Sequence, residues 1–288
     1  MTQVTNPTQP ASSQPISGSG GGSSIVGIEG QNRLNGTAGN DIILTFGGSD
    51  VIAGGGGNEL IVSGGGNDSV GGGDGNDTIL SGSGSDVVAG GGGDDFIFAG
   101  KGDDLVDGGE GNDLISGDRG NDTVLGGGGS DTVFGGQGND VVGGGGGNDS
   151  LFGGKDNDTV NGGDGNDFIS GDRGSDVLTG GAGSDTFYFF SSGGEYGVDT
   201  ITDFTPGEDK IRLKQGGVFA GLGSAVDPTE FVVISGFNAA NAGSAATNKL
   251  VYDPTNGALY FNGTSGVLTV AQLQPGLQGI GPNNFELF

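Results

Sequence analysis

An acidic residue recurs every nine positions without a slip, at Asp41, Asp50, Glu59, Asp68, Asp77, Asp86, Asp95, Asp104, Asp113, Asp122, Asp131, Asp140, Asp149, Asp158, Asp167, Asp176 and Asp185, 17 repeats in all. Two residues after each acid stands an apolar side chain, from Ile43, Ile52 and Ile61 through to Ile169, Leu178 and Phe187. Two residues before each stands Gly, except at Asp156. A fixed period sustained over this length is the mark of a stack in which each unit buries its apolar side chain only against its neighbours. A degenerate copy, with Asn32 at the acid position and Leu34 at the apolar one, is expected to start the stack.

Composition narrows the chemistry. The chain has 288 residues, 72 of them Gly, with no Cys, His or Trp, and 9 basic against 36 acidic side chains, a net charge of −27. Disulfides, thiol nucleophiles, zinc-protease helices and Ser-His-Asp triads are therefore excluded, and any metal must be held by oxygen. Collagen is excluded because Gly does not fall on every third residue. So acidic a chain repels nucleic acid and anionic membrane and favours a divalent cation. Residues 1–20 carry no Lys, Arg or apolar run, so no cleaved secretory signal is expected, and no apolar stretch is long enough to span a bilayer.

A clean copy of the repeat reads Gly108-Gly109-Glu110-Gly111-Asn112-Asp113-Leu114-Ile115-Ser116, the G-G-x-G-x-D-x-U-x nonapeptide with U a large aliphatic residue. Over about residues 36 to 188 the sequence resembles the RTX (repeats-in-toxin) family of secreted bacterial calcium-binding proteins. The expected fold is all-β: a calcium-bound parallel β-roll followed by a small antiparallel β C-terminal domain. Three residues such as Leu114-Ile115-Ser116 suffice for a short strand, and the Gly-rich six before them for a tight turn. Strand, turn, strand, turn completes one coil in 18 residues, and stacked coils form two parallel sheets with the U side chains between them.

Such a core is thin for the Gly-rich backbone it must order, and stacking brings carboxylates within about 5 Å of one another along each edge. Calcium accepts six to eight oxygens in flexible geometry, whereas magnesium dehydrates reluctantly and zinc prefers nitrogen and sulfur. The family resemblance places each ion between turns of adjacent coils, with the 17 repeat acids as metal ligands and about fifteen calcium ions in all. Glu59, with an extra methylene, the Asp50 turn, with Thr45 and Phe46 in place of Gly, and the Asp156 turn are expected to be weak copies, so that the N-terminal end frays first.

Residues flanking the U positions face outward. One sheet is expected to carry Leu60, Val62, Phe96, Phe98, Leu114, Phe134, Phe152, Phe168 and Tyr188, and the other mostly small or polar residues such as Ser69, Gly71, Val87, Ala89, Thr123 and Thr159. An apolar face of this kind suits self-association or a protein partner, with Phe96, Phe98, Phe134, Phe152 and Phe168 as contacts. Lys101, Arg119, Lys155 and Arg173 fall at one turn position, a column suited to internal charge balance with Asp103, Asp118, Asp156 and Asp172 or to a surface polysaccharide. The Thr ranks are too interrupted for ice binding.

Three segments are expected: a flexible Ser/Gly/Thr leader at 1–26, the roll at 27–190, and a C-terminal β cap at 191–288. Val198-Asp199-Thr200-Ile201-Thr202-Asp203-Phe204 and Gly207-Glu208-Asp209-Lys210-Ile211 look like the cap that follows the roll in serralysin-type secreted proteases. Leu250–Asp253 and Ala258–Phe261 flank Asn256-Gly257, a hairpin signal. The ending Phe285-Glu286-Leu287-Phe288 is similar to that family's uncleaved type I secretion signal and also reads as a last strand. The functional expectation is a non-enzymatic calcium-binding protein, extracellular or attached to the cell surface, structural or adhesive, whose folding extracellular calcium triggers. The alternative is a hydrolase or ligand-binding C-terminal module, for which Asp199 and Asp203 offer a carboxylate pair.

Overall fold

The structure, a computed structural model, describes residues 3–4, 16–18, 21–190, 197–214, 219, 222, 226, 228–244, 247–263 and 266–288. Most of the expected leader lies outside the described residues. The chain divides into two compact units, Met1–Ser150 and Leu151–Phe288.

In the first unit, alternate strands fall into two parallel sheets. Ser24–Val26, Ile42–Leu44, Leu60–Val62, Thr78–Ser83, Phe96–Lys101, Leu114–Arg119 and Thr132–Gln137 pair in succession. Arg33–Asn35, Val51–Gly56, Ser69–Asp74, Val87–Gly92, Leu105–Glu110, Thr123–Gly128 and Val141–Gly146 form the other sheet. Register is fixed at 18 residues: Val88 pairs with Val106 and Val70, so every U side chain lies above its equivalent. Ile43, Ile61, Ile79, Ile97 and Ile115 are fully buried in the first sheet, while Val70, Val88, Val106, Val124 and Val142 fill the second. Over the middle coils, from Ile61 to Val124, a longer side chain in one sheet against a shorter one in the other keeps the thin core at constant thickness.

Most strands are twice as long as the sequence pattern implies. Ladder pairing resumes beyond the bend at Gly90, with Gly91 opposite Gly109 and Gly92 opposite Glu110, so much of the Gly-rich turn is itself strand. The close stacking explains why: at Gly91 φ is +122° and a Cβ would stand 2.1 Å from the carbonyl oxygen of Gly73 one coil below. Only glycine lets the backbones approach so closely in that left-handed region.

In the second unit Leu151, Val160, Ile169, Leu178 and Phe187 continue the buried U series. Thr159–Asp164 pairs with Val177–Ala182, and Phe168–Arg173 with Thr186–Phe189. Beyond the repeats, Asp199–Ile201 adds to Val177–Ala182 and Lys210–Leu213 to Thr186–Phe189, both in parallel. Antiparallel strands Lys249–Tyr252, Ala258–Gly263 and Gly266–Gln272 follow, the last lying parallel to Asp199–Ile201. The hairpin turns at Asn256-Gly257, with Gly257 at φ +81°. Phe285–Leu287 is a strand on Lys210–Leu213, and Phe288 stacks on Tyr188 with ring centroids 4.2 Å apart.

The two faces of the first unit differ less than expected. Ile42, Leu60, Leu80, Phe96 and Phe134 are exposed on the first sheet, but Val51, Val87, Leu105, Leu125 and Val141 are exposed on the second. The contrast is aromatic against aliphatic, not apolar against polar, because the larger outward residues of the second sheet are Val and Leu. Phe96 and Phe98 stack at 4.9 Å. In the second unit Phe152, Phe168 and Tyr188 form a ladder with centroids 5.8 and 4.8 Å apart. Lys101 lies in register beside Arg119, and Lys155 and Arg173 end their own strands in the second unit.

Candidate metal centre

Each repeat acid sits at the end of a Gly-rich turn, immediately before a strand, so the 18-residue coil places it above the acid of the coil before. In the first unit the acids fall into two columns, one of Asp41, Glu59, Asp77, Asp95, Asp113, Asp131 and Asp149, the other of Asp50, Asp68, Asp86, Asp104, Asp122 and Asp140. The backbone amide of each residue donates to Oδ1 of the acid one coil later: Asp77 to Asp95 (2.7 Å), Asp95 to Asp113 (2.7 Å), Asp113 to Asp131 (2.8 Å), and likewise Asp86 to Asp104 (2.8 Å). In the second unit the same bond joins Asp158 to Asp176 (2.8 Å) and Asp167 to Asp185 (3.0 Å). All 17 acids are buried.

The other oxygen is the anomaly. Oδ2 of Asp50, Asp68, Asp77, Asp86, Asp95, Asp104, Asp113, Asp122, Asp131 and Asp176 is buried with no hydrogen-bond donor. A buried carboxylate oxygen without a partner is costly unless a cation meets it. The residue five before each acid decides what lies beside that oxygen. At Gly90 a Cβ would fall 2.3 Å from Asp95 Oδ2 and 2.5 Å from the carbonyl oxygen of Gly108, and at Gly108 2.4 Å from both Asp113 Oδ2 and Gly126 O. A carboxylate oxygen and a backbone carbonyl oxygen of the next coil therefore converge at a place kept clear by the missing side chain. Among the described residues no three carboxylates form a metal-binding group, so a cation between coils would rely on such carbonyls for part of its shell. This hard, oxygen-only donor set suits calcium.

The cradle is not equally open everywhere. Thr45, Ser63, Ser81 and Ala99 replace Gly beside Asp50, Asp68, Asp86 and Asp104. Thr45 Oγ1 donates to the Ser63 carbonyl, and Ser63 Oγ to the Ser81 carbonyl at 2.7 Å, a ladder of hydroxyls inside these turns. Glu59 keeps its backbone place, its amide donating to Asp77 Oδ1 at 2.7 Å, but neither of its carboxylate oxygens has a donor.

Electrostatics follows burial. Desolvation, reinforced by column neighbours and opposed by the backbone amide bond, pushes the carboxyls of Asp95 and Asp122 up to about 7 and those of Asp86 and Asp131 up to about 6. Burial and Asp77 push Glu59 up to about 7. Outside the turns a second ladder runs the opposite way: Asn58 accepts at Oδ1 from the amide of Asn76 (3.1 Å), Asn76 from that of Asp94 (3.1 Å), and Asn112 from that of Ser130 (2.9 Å).

Two carboxylates outside the nine-residue period join the columns. Asp176 N donates to Asp199 Oδ1 at 3.1 Å and Asp185 N to Asp209 Oδ1 at 3.0 Å, although the separations are 23 and 24 residues, not 18. Their only sequence signal is the cap-like run that contains them. Asp203 accepts from the amides of Gly180 and Gly181, both at 2.8 Å, and so closes a turn of the repeat region.

The RTX calcium-binding nonapeptide repeat (4 copies) matches at residues 26–58, 53–88, 80–115, 89–124, 107–142, 125–160, 143–178 and 161–189. A comparison with curated proteins returns no match. Among solved structures, the extracellular lipase LipA from Serratia marcescens is similar over 73% of this chain, at 17% identity and a TM-score of 0.22, and the match spans 44% of that lipase. So loose a likeness carries nothing about activity. The repeat match extends over more than half of the sequence: the chain belongs to the RTX calcium-binding nonapeptide repeat family.

Proposed function

We propose that the two carboxylate columns hold calcium between successive coils, up to about fifteen ions, and that the chain is a non-enzymatic structural or adhesive protein which folds on meeting extracellular calcium. The observation that carries this reading is the row of buried Oδ2 atoms without donors, each beside a turn whose side chain is absent or small. The turns of Asp50, Asp68, Asp86 and Asp104, with their cradles partly filled, are the weakest sites. Secretion accords with the family and with the millimolar calcium that such sites need. A structural or adhesive role is supported by the outward rows of the first sheet: Ile42, Leu44, Leu60, Val62, Leu80, Phe96, Phe98 and Phe134 include no charge on a chain of net charge −27. Asp199 and Asp203 both commit oxygens to backbone amides, as cap residues do, which speaks against the hydrolase reading.

Asp113→Ala tests the assignment. Native mass spectrometry is expected to show the loss of one or two ions, with the remaining sites filled; an unchanged ion count would overturn it. Light scattering with and without calcium tests the structural role, for which calcium-dependent assembly is expected and a persistent monomer would count against it.

The raised carboxyls give a pH dependence of definite sign. Without metal, the folded coil binds more protons than the unfolded chain between the ordinary Asp value of 3.8 and about 7, so the metal-free fold loses stability as pH rises through that window. Calcium must displace those protons. Circular dichroism is expected to show more residual β structure at pH 5 than at pH 8 in chelator, and a calcium midpoint that rises as pH falls from 8 to 5.5. A midpoint independent of pH would contradict the burial of the columns.

A further inference from the structure

Five of the nine basic residues of a chain with net charge −27 gather on one sheet of the second unit. Lys155 and Arg173 end neighbouring strands of that sheet, Lys210 and Arg212 stand on a later strand, and Lys214 directly follows it. The strands Thr159–Asp164, Val177–Ala182 and Asp199–Ile201 of the opposite sheet carry none. The same basic sheet bears a continuous line of outward rings. From Phe152 to Phe168, Tyr188 and Phe288 the centroids step by 5.8, 4.8 and 4.2 Å. Two of the cations lie on the rings: the Arg212 guanidinium is 5.9 Å from the Tyr188 centroid and 5.2 Å from that of Phe288, and the Lys214 ammonium is 5.1 Å from that of Phe190. Glu286, half-exposed, meets Arg212 Nε at 3.5 Å, yet Nε is buried and makes no hydrogen bond. So loose a pair leaves the guanidinium able to take an acceptor from outside.

We propose that this strip of rings and cations binds a linear polysaccharide bearing carboxylates, a polyuronate. The inference rests on the adhesive reading given above and names its partner. An aromatic face stacks on the apolar C–H face of a sugar ring, while Arg and Lys pair with the carboxylate beside it. The shape favours a linear occupant. Four rings of about 200 Å² each, all half-buried, offer far less than the roughly 800 Å² that each partner gives to a stable protein interface. Because each ring lies against the next, none projects as a wedge for a bilayer. A nucleic acid would bring a charge every 1.7 Å or so against an acidic chain, whereas a polyuronate brings at most one per sugar ring. Calcium in the columns lowers the repulsion that remains, so the calcium-loaded chain is the form that binds.

Isothermal titration of the full chain at saturating calcium, with short oligomers of polygalacturonate and of hyaluronan, is expected to show binding to at least one of them. Uncharged chitin oligomers should bind about tenfold or more weakly. Lys214→Gln and Phe152→Ser should each raise the Kd about fivefold to tenfold, with the far-UV spectrum and the ion count of wild type. Arg212→Gln should give the same loss if Phe152→Ser folds poorly. Phe134→Ser, an outward ring of the first unit, should leave the affinity unchanged. Binding of neither oligomer overturns the proposal, as does binding that Lys214→Gln, Phe152→Ser and Arg212→Gln all leave intact. Attachment only to phosphatidylserine vesicles or single-stranded DNA, or pairing of two copies through the strip in place of saccharide binding, overturns it as well. If light scattering shows a persistent monomer that still binds the oligomer, the assembly reading falls and the strip stands; an assembling chain that ignores both oligomers sinks the strip alone.

Discussion

Exhaustive dialysis against a chelator at neutral pH is expected to abolish the roll, not loosen it. Far-UV circular dichroism should become that of a disordered chain, and the radius of gyration should rise toward about 60 Å, the value for an unfolded chain of this length. The size of the effect follows from what remains once the metal has gone. The core of the first unit is one row mostly of Ile facing one row mostly of Val, and it must order a backbone in which Gly is the commonest residue. Against it stand carboxylates such as Asp77, Asp95 and Asp113, buried one above another with an oxygen of each lacking any donor. Calcium restored to a few millimolar should refold the chain, whereas magnesium at equal concentration should not, because it gives up its water reluctantly and demands a stricter octahedron. A dichroism spectrum and radius of gyration unchanged by the chelator would show that the columns are stabilised by something other than a cation.

Two adjacent glycines should respond in opposite ways to the same substitution. Gly91→Ala forces a Cβ to within 2.1 Å of the Gly73 carbonyl at a φ of +122°, where the obstacle is backbone that cannot turn aside. The coil must open there, breaking a rung of the ladder, at a cost of about 2–4 kcal/mol. Gly92→Ala meets nothing within 4 Å and has no left-handed φ, so the effect is within about 1 kcal/mol and can be stabilising, since alanine leaves the unfolded chain fewer conformations. Urea titrations at saturating calcium measure both. Equal midpoints for the two variants would mean that the coils are not in the close contact described.

The regular part of this architecture is legible because the period substitutes for a long-range contact. A residue 18 positions away is also the one directly above, so the nine-residue spacing of acids and U residues by itself places Asp95 over Asp77 and Ile97 over Ile79. Where spacing ceases to equal position, that legibility ends. Asp199 and Asp209 occupy column places at separations of 23 and 24 residues, because the connections that reach them are longer than a nonapeptide turn. The pattern implies strands of three residues because glycine pairs resemble turns in composition, yet Gly91 and Gly92 sit in register with Gly109 and Glu110. The near-invariant Gly two before each acid also draws attention away from the residue five before it, and it is there that Thr45, Ser63, Ser81 and Ala99 distinguish one run of turns from the rest. The hairpin at Asn256-Gly257 is readable because its turn chemistry is local.

The bonds to the column carboxylates all point one way. Asp95 receives the amide of Asp77, Asp176 that of Asp158, and Asp199 that of Asp176, so each layer offers its column carboxylates to the layer on its N-terminal side, while the side-chain ladder outside the turns runs the other way. Growth of such a stack is polar. A nucleus formed near the C-terminus presents a ready template to the segment that precedes it, whereas one formed near the N-terminus has amides waiting for acceptors not yet in place. The carboxylate columns thus favour a sense of assembly opposite to the order in which a ribosome makes the chain.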